Sequence, residues 1–198
     1  MDMVVYLILS YLSGAIPFAY VISKIFKKID IRKCGSGNPG ATNVFRVVSK
    51  PLGILTFFLD AMKGFIPVYF ASMINPSIYF VLTVAFVTLL GHVFTIFLKF
   101  KGGKGVATGC GIFVAFAPIV TLICFMVFAL VLFLSKYVAL SSITAAISLP
   151  ICLAFFHYPN IIILFACLVA VLVIVRHIGN IRRIIKGTES KVSDKKNI

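Results

Sequence analysis

Long, nearly uncharged apolar segments follow one another along this chain and constrain its fold more than any other feature. A helix of about 20 apolar residues can cross the hydrocarbon core of a bilayer. With 61% of the 198 residues hydrophobic and only 12% charged, the chain has too little polar surface for a water-soluble domain. We therefore expect an all-α integral membrane protein that forms one domain over residues 1–198, with a short polar tail at about 181–198. The apolar segments are Met3–Ile25, Leu52–Ile74, Ile78–Leu98, Val106–Leu134, Val138–Phe156 and Ile161–Val175.

The positive charges predict the topology. Lysine and arginine cluster in the loop after the first segment, in the loop at 99–104 and in the tail from Arg176, and such clusters are typical of the cytoplasmic side. The stretch 106–134 is either one long helix or two short helices that turn near Ala117-Pro118. One helix would export the basic tail, whereas two keep it inside. We therefore predict seven transmembrane helices in the cell (inner) membrane, with the N-terminus outside and the C-terminus cytoplasmic.

The first charged loop contains a glycine-rich segment, GSGNPGATN, at residues 35–43. Glycines let the backbone turn so that successive N–H groups can point at one anion. A flexible connection between helices would explain the glycines alone, but the density of hydrogen-bond donors favours a phosphate-binding loop. These donors are Ser36, Asn38, Thr42, Asn43 and, just beyond, Arg46.

The second charged loop, KFKGGKG at residues 99–105, comes directly before the predicted helix at Val106. A helix start offers unpaired N–H groups and the positive end of the helix dipole, and Lys104 adds a full charge. A membrane anchor would explain Lys99 but not Gly102 and Gly103. The loop differs from the nucleotide-binding pattern GxxxxGK[ST] because Gly105 stands at the Ser/Thr position, so we do not expect nucleotide hydrolysis.

Polar residues also occur at the ends of spans and within them. His177 and Asn180 are three residues apart where the last span ends, so they share a helix face. Ser142 is predicted near the same membrane surface, and we expect these three residues to contact a ligand. Asp60 lies about 13 Å deep in the second span, at about 1.5 Å per residue. Since Lys63 at i+3 can neutralise it, we interpret the two as a structural ion pair, with a direct catalytic role as the alternative.

The sequence predicts neither a metal nor a nucleic-acid partner. The five cysteines show no CxxC spacing, and we expect them to be reduced and without metal. The basic residues lie in short loops between apolar spans, and no RNA- or DNA-binding pattern is present. We also expect no cofactor, surroundings of membrane lipid, and a monomer.

Four segments together resemble one family: GSGNPGATNVFR, DAMKG, GHVFTIFLKFKGGKGVAT and RHIGNIRRIIKGTE. They resemble the bacterial acyl-phosphate:glycerol-3-phosphate acyltransferases, which are small integral membrane enzymes. The resemblance runs from about Leu7 to Lys191 in the same order and spacing.

The resemblance implies a reaction and a set of site residues. An acyl group would pass from acyl phosphate to the sn-1 hydroxyl of sn-glycerol 3-phosphate, giving lysophosphatidic acid and phosphate. Lys104, His177 and Asn180 would hold glycerol phosphate, and Arg46 would serve either phosphate. Acyl phosphate would be held by Ser36, Thr42 and the Gly102-Gly103 backbone, with Asn38 and Ser142 completing the polar site.

The sequence leaves the general base open between two groups. Acyl phosphate is already activated, so the chain needs no covalent nucleophile, and it contains no GxSxG. His177 is one candidate base, and an oxygen of the donor phosphate, which we favour, is the other. A rival interpretation is a membrane transporter or binding protein for an organic phosphate, but the halves of the chain do not resemble each other as they do in many transporters.

Overall fold

The computed structural model describes residues 2–192 and 194, and in these residues the chain is helical. The predicted all-helical class is confirmed. The predicted polar tail extends to residue 198, and its residues Ser193 and 195–198 lie outside the described part. The helices are α1 (Met3–Ala15), α2 (Phe18–Lys27), α3 (Ala41–Val47), α4 (Lys50–Ile74), α5 (Ile78–Val93), α6 (Val106–Phe116), α7 (Pro118–Ser135), α8 (Val138–Phe155), α9 (Asn160–Arg176) and α10 (Ile178–Ile185), with 3-10 turns at Ile31–Lys33 and Ile96–Leu98.

Between four and six elements of the described chain are long and apolar enough to cross a membrane. Four do so alone: α4, the segment Ile78–Leu98, α7 and α8. Two more result if each bent pair counts as one span, namely α1 with α2 and α9 with α10. The short apolar helix α6 has 11 residues, or about 16 Å at about 1.5 Å per residue, against a core of about 30 Å. The count of seven spans therefore stays a prediction.

The first predicted span, Met3–Ile25, is bent: α1 and α2 can form one span together, but they are not one continuous helix. α1 ends at Ala15 and α2 begins at Phe18, with a bend of 42° between them. Pro17 disfavours a continuous helix, and at the break the Ile16 carbonyl accepts from the N–H of Phe18 at 3.2 Å instead of from the next helical turn. Lys63 Nζ donates to the carbonyl oxygen of Ile16 at 2.6 Å, and Thr95 Oγ1 donates to that of Ala15 at 2.6 Å. Side chains distant in sequence thus donate hydrogen bonds to the backbone carbonyl groups at the break.

Two turns lie where the sequence predicted them. Residues 75–77 separate α4 from α5, and Ala117 separates α6 from α7. The stretch 106–134 is therefore two helices rather than one. Its parts are unequal, because α7 has 18 residues and α6 has 11.

Two short helices were not predicted. α3 lies inside the first charged loop, and α10 lies inside the segment assigned to a polar tail. The signal for α10 was present in the sequence, since Ile178, Ile181 and Ile185 recur at helical spacing around two arginines. The polar tail proper therefore begins only after Ile185.

The described residues up to Ala115 form one compact unit. In this unit α1 and α4 pack on α5, and α3 packs on α4. Glycines allow the backbones of α1 and α5 to approach closely, because a Cβ on Gly14 would overlap the carbonyl of Thr88 and one on Gly91 would overlap that of Tyr11. Such small residues are typical of helix contacts inside membranes.

Phe116–Asp194 form a second compact unit, in which α8 packs on both α7 and α9. Its outer surface is strongly apolar: Ile119 is 65% exposed, Phe133 71% and Phe155 77%. Large apolar side chains exposed in this density would be unfavourable in water but match hydrocarbon. The surface therefore agrees with a multi-pass membrane protein.

Thr95→Val should lower the stability of the protein. The substitution removes the donor to the Ala15 carbonyl in a buried place, which costs about 1–3 kcal/mol. Thr83→Val is the matched control, because the exposed Thr83 hydroxyl only bonds to the carbonyl of Tyr79 on its own helix. Thermal unfolding in one detergent measures both, and equal unfolding temperatures for the two variants would contradict this role of Thr95.

Candidate active site

The first glycine loop is shaped by Asn43, on the first turn of α3. The side chain is 2% exposed and makes three hydrogen bonds. Its Nδ2 donates to the carbonyl oxygens of Ile31 at 3.1 Å and Cys34 at 3.0 Å, and its Oδ1 accepts from the N–H of Ser36 at 3.0 Å. Asn43 therefore holds the loop together, whereas its type alone had suggested a donor to phosphate.

Gly35 turns the chain against this side chain. It has φ +59°, and a Cβ there would overlap Asn43 Oδ1. A side chain at position 35 would thus be strained and would displace Asn43. The tight loop depends on this glycine and this asparagine together.

The other predicted phosphate-binding side chains of this segment line the same loop and α3. Ser36 is exposed and its Oγ accepts from the N–H of Asn38 at 3.4 Å. Thr42 and Arg46 are half-buried and four residues apart on α3, so they share one face. Ser36 and Asn38 thus lie in the loop that Asn43 holds, and Thr42 and Arg46 lie on the helix that carries Asn43.

The carboxylate of Asp30, just before this loop, forms an ion pair with Arg32. The guanidinium donates to both carboxylate oxygens, at 2.9 and 2.7 Å, and stacks over the Tyr20 ring at 5.1 Å. This hydrogen bonding lowers the pKa of Asp30 to about 2. Because the folded pKa is below the unfolded value, the pair stabilises the fold above about pH 4 and loses this effect as the pH falls towards 2. Asp30 is therefore a poor candidate for a general base at neutral pH.

The second glycine loop is bonded to the end of α5. The N–H of Gly102 donates to the carbonyl oxygen of Val93 at 3.0 Å, and that of Gly103 donates to the carbonyl of His92 at 3.2 Å. The sequence analysis predicted that these N–H groups bind acyl phosphate, whereas in this structure they donate to backbone carbonyls of the protein. The two glycines thus have a packing reason that sequence reasoning missed. Lys104 follows them, and α6 begins at Val106 as predicted.

Asp60 and Lys63 form the expected ion pair. Their side chains are 3% and 4% exposed, and Lys63 Nζ lies 2.6 Å from Asp60 Oδ1. Lys63 also lies over the Phe18 ring at 5.5 Å, and the buried His92 places Nδ1 3.8 Å from Asp60 Oδ1. The pair and His92 line one cleft together with residues of both glycine loops. The lining comprises residues 15–18, Pro39, Asp60, Lys63, His92, Thr95, Leu98, Gly102 and Gly103.

In the second unit, Glu189 organises the end of the described chain. Asn180 Nδ2 donates to Glu189 Oε1 at 2.8 Å, and Arg183 Nε donates to Oε2 at 2.7 Å. The Glu189 side chain is only 4% exposed. Sequence reasoning missed this role, although a carboxylate among so many basic residues in the tail was a visible signal. Asn180, a predicted ligand contact, is thereby fixed in orientation.

His177 and Ser142 are both buried in the second unit. His177 lies at the junction of α9 and α10, and its Nδ1 is 2.8 Å from the carbonyl oxygen of Val173. Ser142 Oγ donates to the carbonyl of Val138 on its own helix at 2.8 Å. A carbonyl can only accept, so Nδ1 carries the proton and Nε2 of a neutral His177 carries the lone pair.

Comparison with known proteins agrees with these features. A family model described as glycerol-3-phosphate acyltransferase matches residues 4–187. A glycerol-3-phosphate acyltransferase of Endomicrobium trichonymphae is 49% identical, covering 96% of this chain and 95% of its own. One of Staphylococcus haemolyticus is 50% identical, covering 97% and 98%.

A solved structure is also similar over nearly the whole chain. The crystal structure of PlsY, an integral membrane glycerol 3-phosphate acyltransferase in its glycerol 3-phosphate form, has a TM-score of 0.92 and 40% identity, covering 96% of this chain and 94% of that one. The lysophosphatidic acid form of PlsY has a TM-score of 0.88. The chain therefore belongs to the glycerol-3-phosphate acyltransferase family.

Asn43→Asp should destabilise the first glycine loop. The change keeps the shape but replaces the donor to the Ile31 and Cys34 carbonyls by an acceptor, at a cost of about 1–3 kcal/mol or more. Asn75→Asp is the control, because it keeps its acceptor for the Ser77 N–H and loses only a long donor contact of 3.8 Å to Met3 Sδ. Hydrogen exchange of residues 34–43 should be faster only in Asn43→Asp. Unchanged exchange there would refute the organising role of Asn43.

Proposed function

We propose that this protein transfers an acyl group from acyl phosphate to the sn-1 hydroxyl of sn-glycerol 3-phosphate. The products are lysophosphatidic acid and phosphate, and the step is the first acylation of phospholipid synthesis. The observation that carries the proposal is the match to a glycerol-3-phosphate acyltransferase family over residues 4–187, which include both glycine-rich basic loops. The glycerol 3-phosphate and lysophosphatidic acid forms of PlsY support the proposed acceptor and product.

The donor proposal rests on the chemistry that the chain offers. In acyl phosphate the leaving group is phosphate, so the carbonyl carbon is already activated. The hydroxyl oxygen of glycerol phosphate attacks that carbon, the bond from carbon to the phosphate oxygen breaks, and the hydroxyl proton leaves to a base. Catalysis then requires positioning and stabilisation of negative charge, which side chains such as Lys104 and Arg46 can supply.

The proposed roles follow the sequence prediction. Lys104, His177 and Asn180 hold glycerol phosphate, and Ser36, Asn38 and Thr42 hold the acyl phosphate. Arg46 serves either phosphate, and Ser142 contributes a hydroxyl oxygen as an acceptor. For Gly102 and Gly103 the N–H bonds to α5 support a role in placing Lys104 rather than direct contact with phosphate.

The base is proposed to be an oxygen of the donor phosphate. The five acidic residues give little support to a carboxylate base, because each accepts a hydrogen bond or ion pair in its own neighbourhood: Asp2 from Val4, Asp30 from Arg32, Asp60 from Lys63, Glu189 from Arg183 and Asp194 from Lys191. His177 remains the alternative, since its Nε2 lone pair could accept the hydroxyl proton. On the substrate-assisted route this lone pair instead orients the hydroxyl.

We further propose seven spans, an outside N-terminus and a site that faces the cytoplasm of the inner membrane. The support is the distribution of charge, since both basic loops and the tail then lie inside. The two units act as one enzyme domain in this proposal, because the family match extends over residues of both.

Purified protein incubated with acyl phosphate and glycerol 3-phosphate should form 1-acyl lysophosphatidic acid and phosphate in equal amounts. Acyl-CoA should not replace acyl phosphate. Mass spectrometry and NMR identify the product and the position of its acyl group, and the same assay with acyl-CoA measures the donor specificity. A transporter would instead move glycerol 3-phosphate into vesicles without any donor, and uptake without acylation would contradict the proposal.

Lys104→Ala should reduce kcat/KM far more than it reduces the amount of folded enzyme. A lost charge-assisted contact to phosphate costs roughly 1.5–3 kcal/mol, or about 10- to 150-fold. Lys101→Ala is the matched control, because the exposed Lys101 lies in the same loop and carries the same charge. Equal activity of the two variants would remove Lys104 from the site.

A further inference from the structure

His92 lies where the end of α5 meets the second glycine loop, and it has no role in the reaction proposed above. The residue is 6% exposed. Its backbone carbonyl accepts from the N–H of Gly103 at 3.2 Å, and the next carbonyl, that of Val93, accepts from Gly102 at 3.0 Å. The two residues that precede Lys104 are therefore tied to this helix end.

The ring of His92 also limits where Gly103 can lie. A Cβ on Gly103 would overlap Nε2 and lie 2.8 Å from Cε1, and both atoms belong to the ring. A Cβ on Gly102 would instead overlap the backbone carbonyls of His92 and Val93. The position of Gly103 is thus limited by a side chain, and that of Gly102 by the main chain.

The ring also lies beside the buried ion pair. Asp60 Oδ1 lies 3.8 Å from Nδ1 of His92 and 2.6 Å from Nζ of Lys63. Lys63 in turn donates to the Ile16 carbonyl at the break in the first span. Buried polar groups therefore lie next to one another from that break to the second glycine loop.

We propose that His92 is a positioning residue for glycerol phosphate, which acts by fixing Gly103 and through it the adjacent Lys104. This inference rests on the proposed function, in which Lys104 holds the phosphate of glycerol 3-phosphate. A displacement of about 1 Å at such a group can cost about a hundredfold in rate. The contact between the His92 ring and Gly103 is therefore expected to influence the KM for glycerol phosphate.

Enlarging residue 103 and shortening residue 92 together tests the contact between the His92 ring and Gly103 directly. Gly103→Ala should raise the KM for glycerol phosphate and lower kcat/KM by up to about a hundredfold. In the double variant with His92→Ala the added methyl group has room, and it occupies the space of the ring and limits the position of residue 103 in its place. The double variant should recover about tenfold or more of the loss, as expected for residues in contact. Gly102→Ala is the control, because its clash is with backbone and His92→Ala cannot relieve it.

The readouts separate positioning from a general structural effect. The recovery should occur in the KM for glycerol phosphate, with the KM for acyl phosphate and the amount of folded enzyme unchanged between Gly103→Ala and the double variant. His92→Ser paired with Gly103→Ala replaces the double variant if His92→Ala does not fold. The proposal is overturned by no recovery in either pair, by equal recovery of Gly102→Ala, or by recovery only in folded yield.

The same assay keeps the two proposals apart. A normal KM for glycerol phosphate in Lys104→Ala would defeat the proposed function of Lys104 and the inference that depends on it. A raised KM in Lys104→Ala without recovery in the double variants would defeat the role of His92 alone.

Discussion

Hydrocarbon offers no hydrogen-bond partners, so each backbone carbonyl that is freed within a membrane span needs a donor from the protein. In the first unit this requirement arises at Ile16-Pro17, where the first span breaks. Lys63 and Thr95 supply the donors, and Asp60 neutralises the ammonium of Lys63. A buried lysine without a partner would be expensive, so the ion pair and the break depend on each other. The backbone N–H groups of the second glycine loop likewise donate to the carbonyl groups at the end of α5.

The glycine loops differ in how they are built. In the first, the side chain of Asn43 bonds to the backbone, whereas in the second the backbone bonds to the end of a helix. Both arrangements use main-chain groups to fix the loop, so in the proposed function the charge for phosphate comes mainly from side chains such as Arg46 and Lys104. Phosphate oxygens are held well by such charged donors.

Much of the fold could be predicted because apolar runs and turn residues act locally. The turns at 75–77 and at Ala117 lie where proline and its neighbours predicted them, and the i+3 spacing predicted the pair of Asp60 and Lys63. The break at Pro17 was missed because the apolar run continues through it, and the donors that satisfy it are distant in sequence. The inward use of Asn43, Gly102 and Gly103 was missed for the same reason, since residue type shows that a group can bond but not to which partner.

The central claim is that both phosphates are held for direct acyl transfer, without an acyl-enzyme intermediate. Rapid mixing of enzyme with acyl phosphate alone tests this claim most directly, followed by acid quenching and intact-protein mass spectrometry. The account predicts an unmodified protein mass and no burst of phosphate, with phosphate released only once glycerol 3-phosphate is added. A protein carrying one acyl group, formed with a stoichiometric burst of phosphate before any acceptor is present, would contradict it.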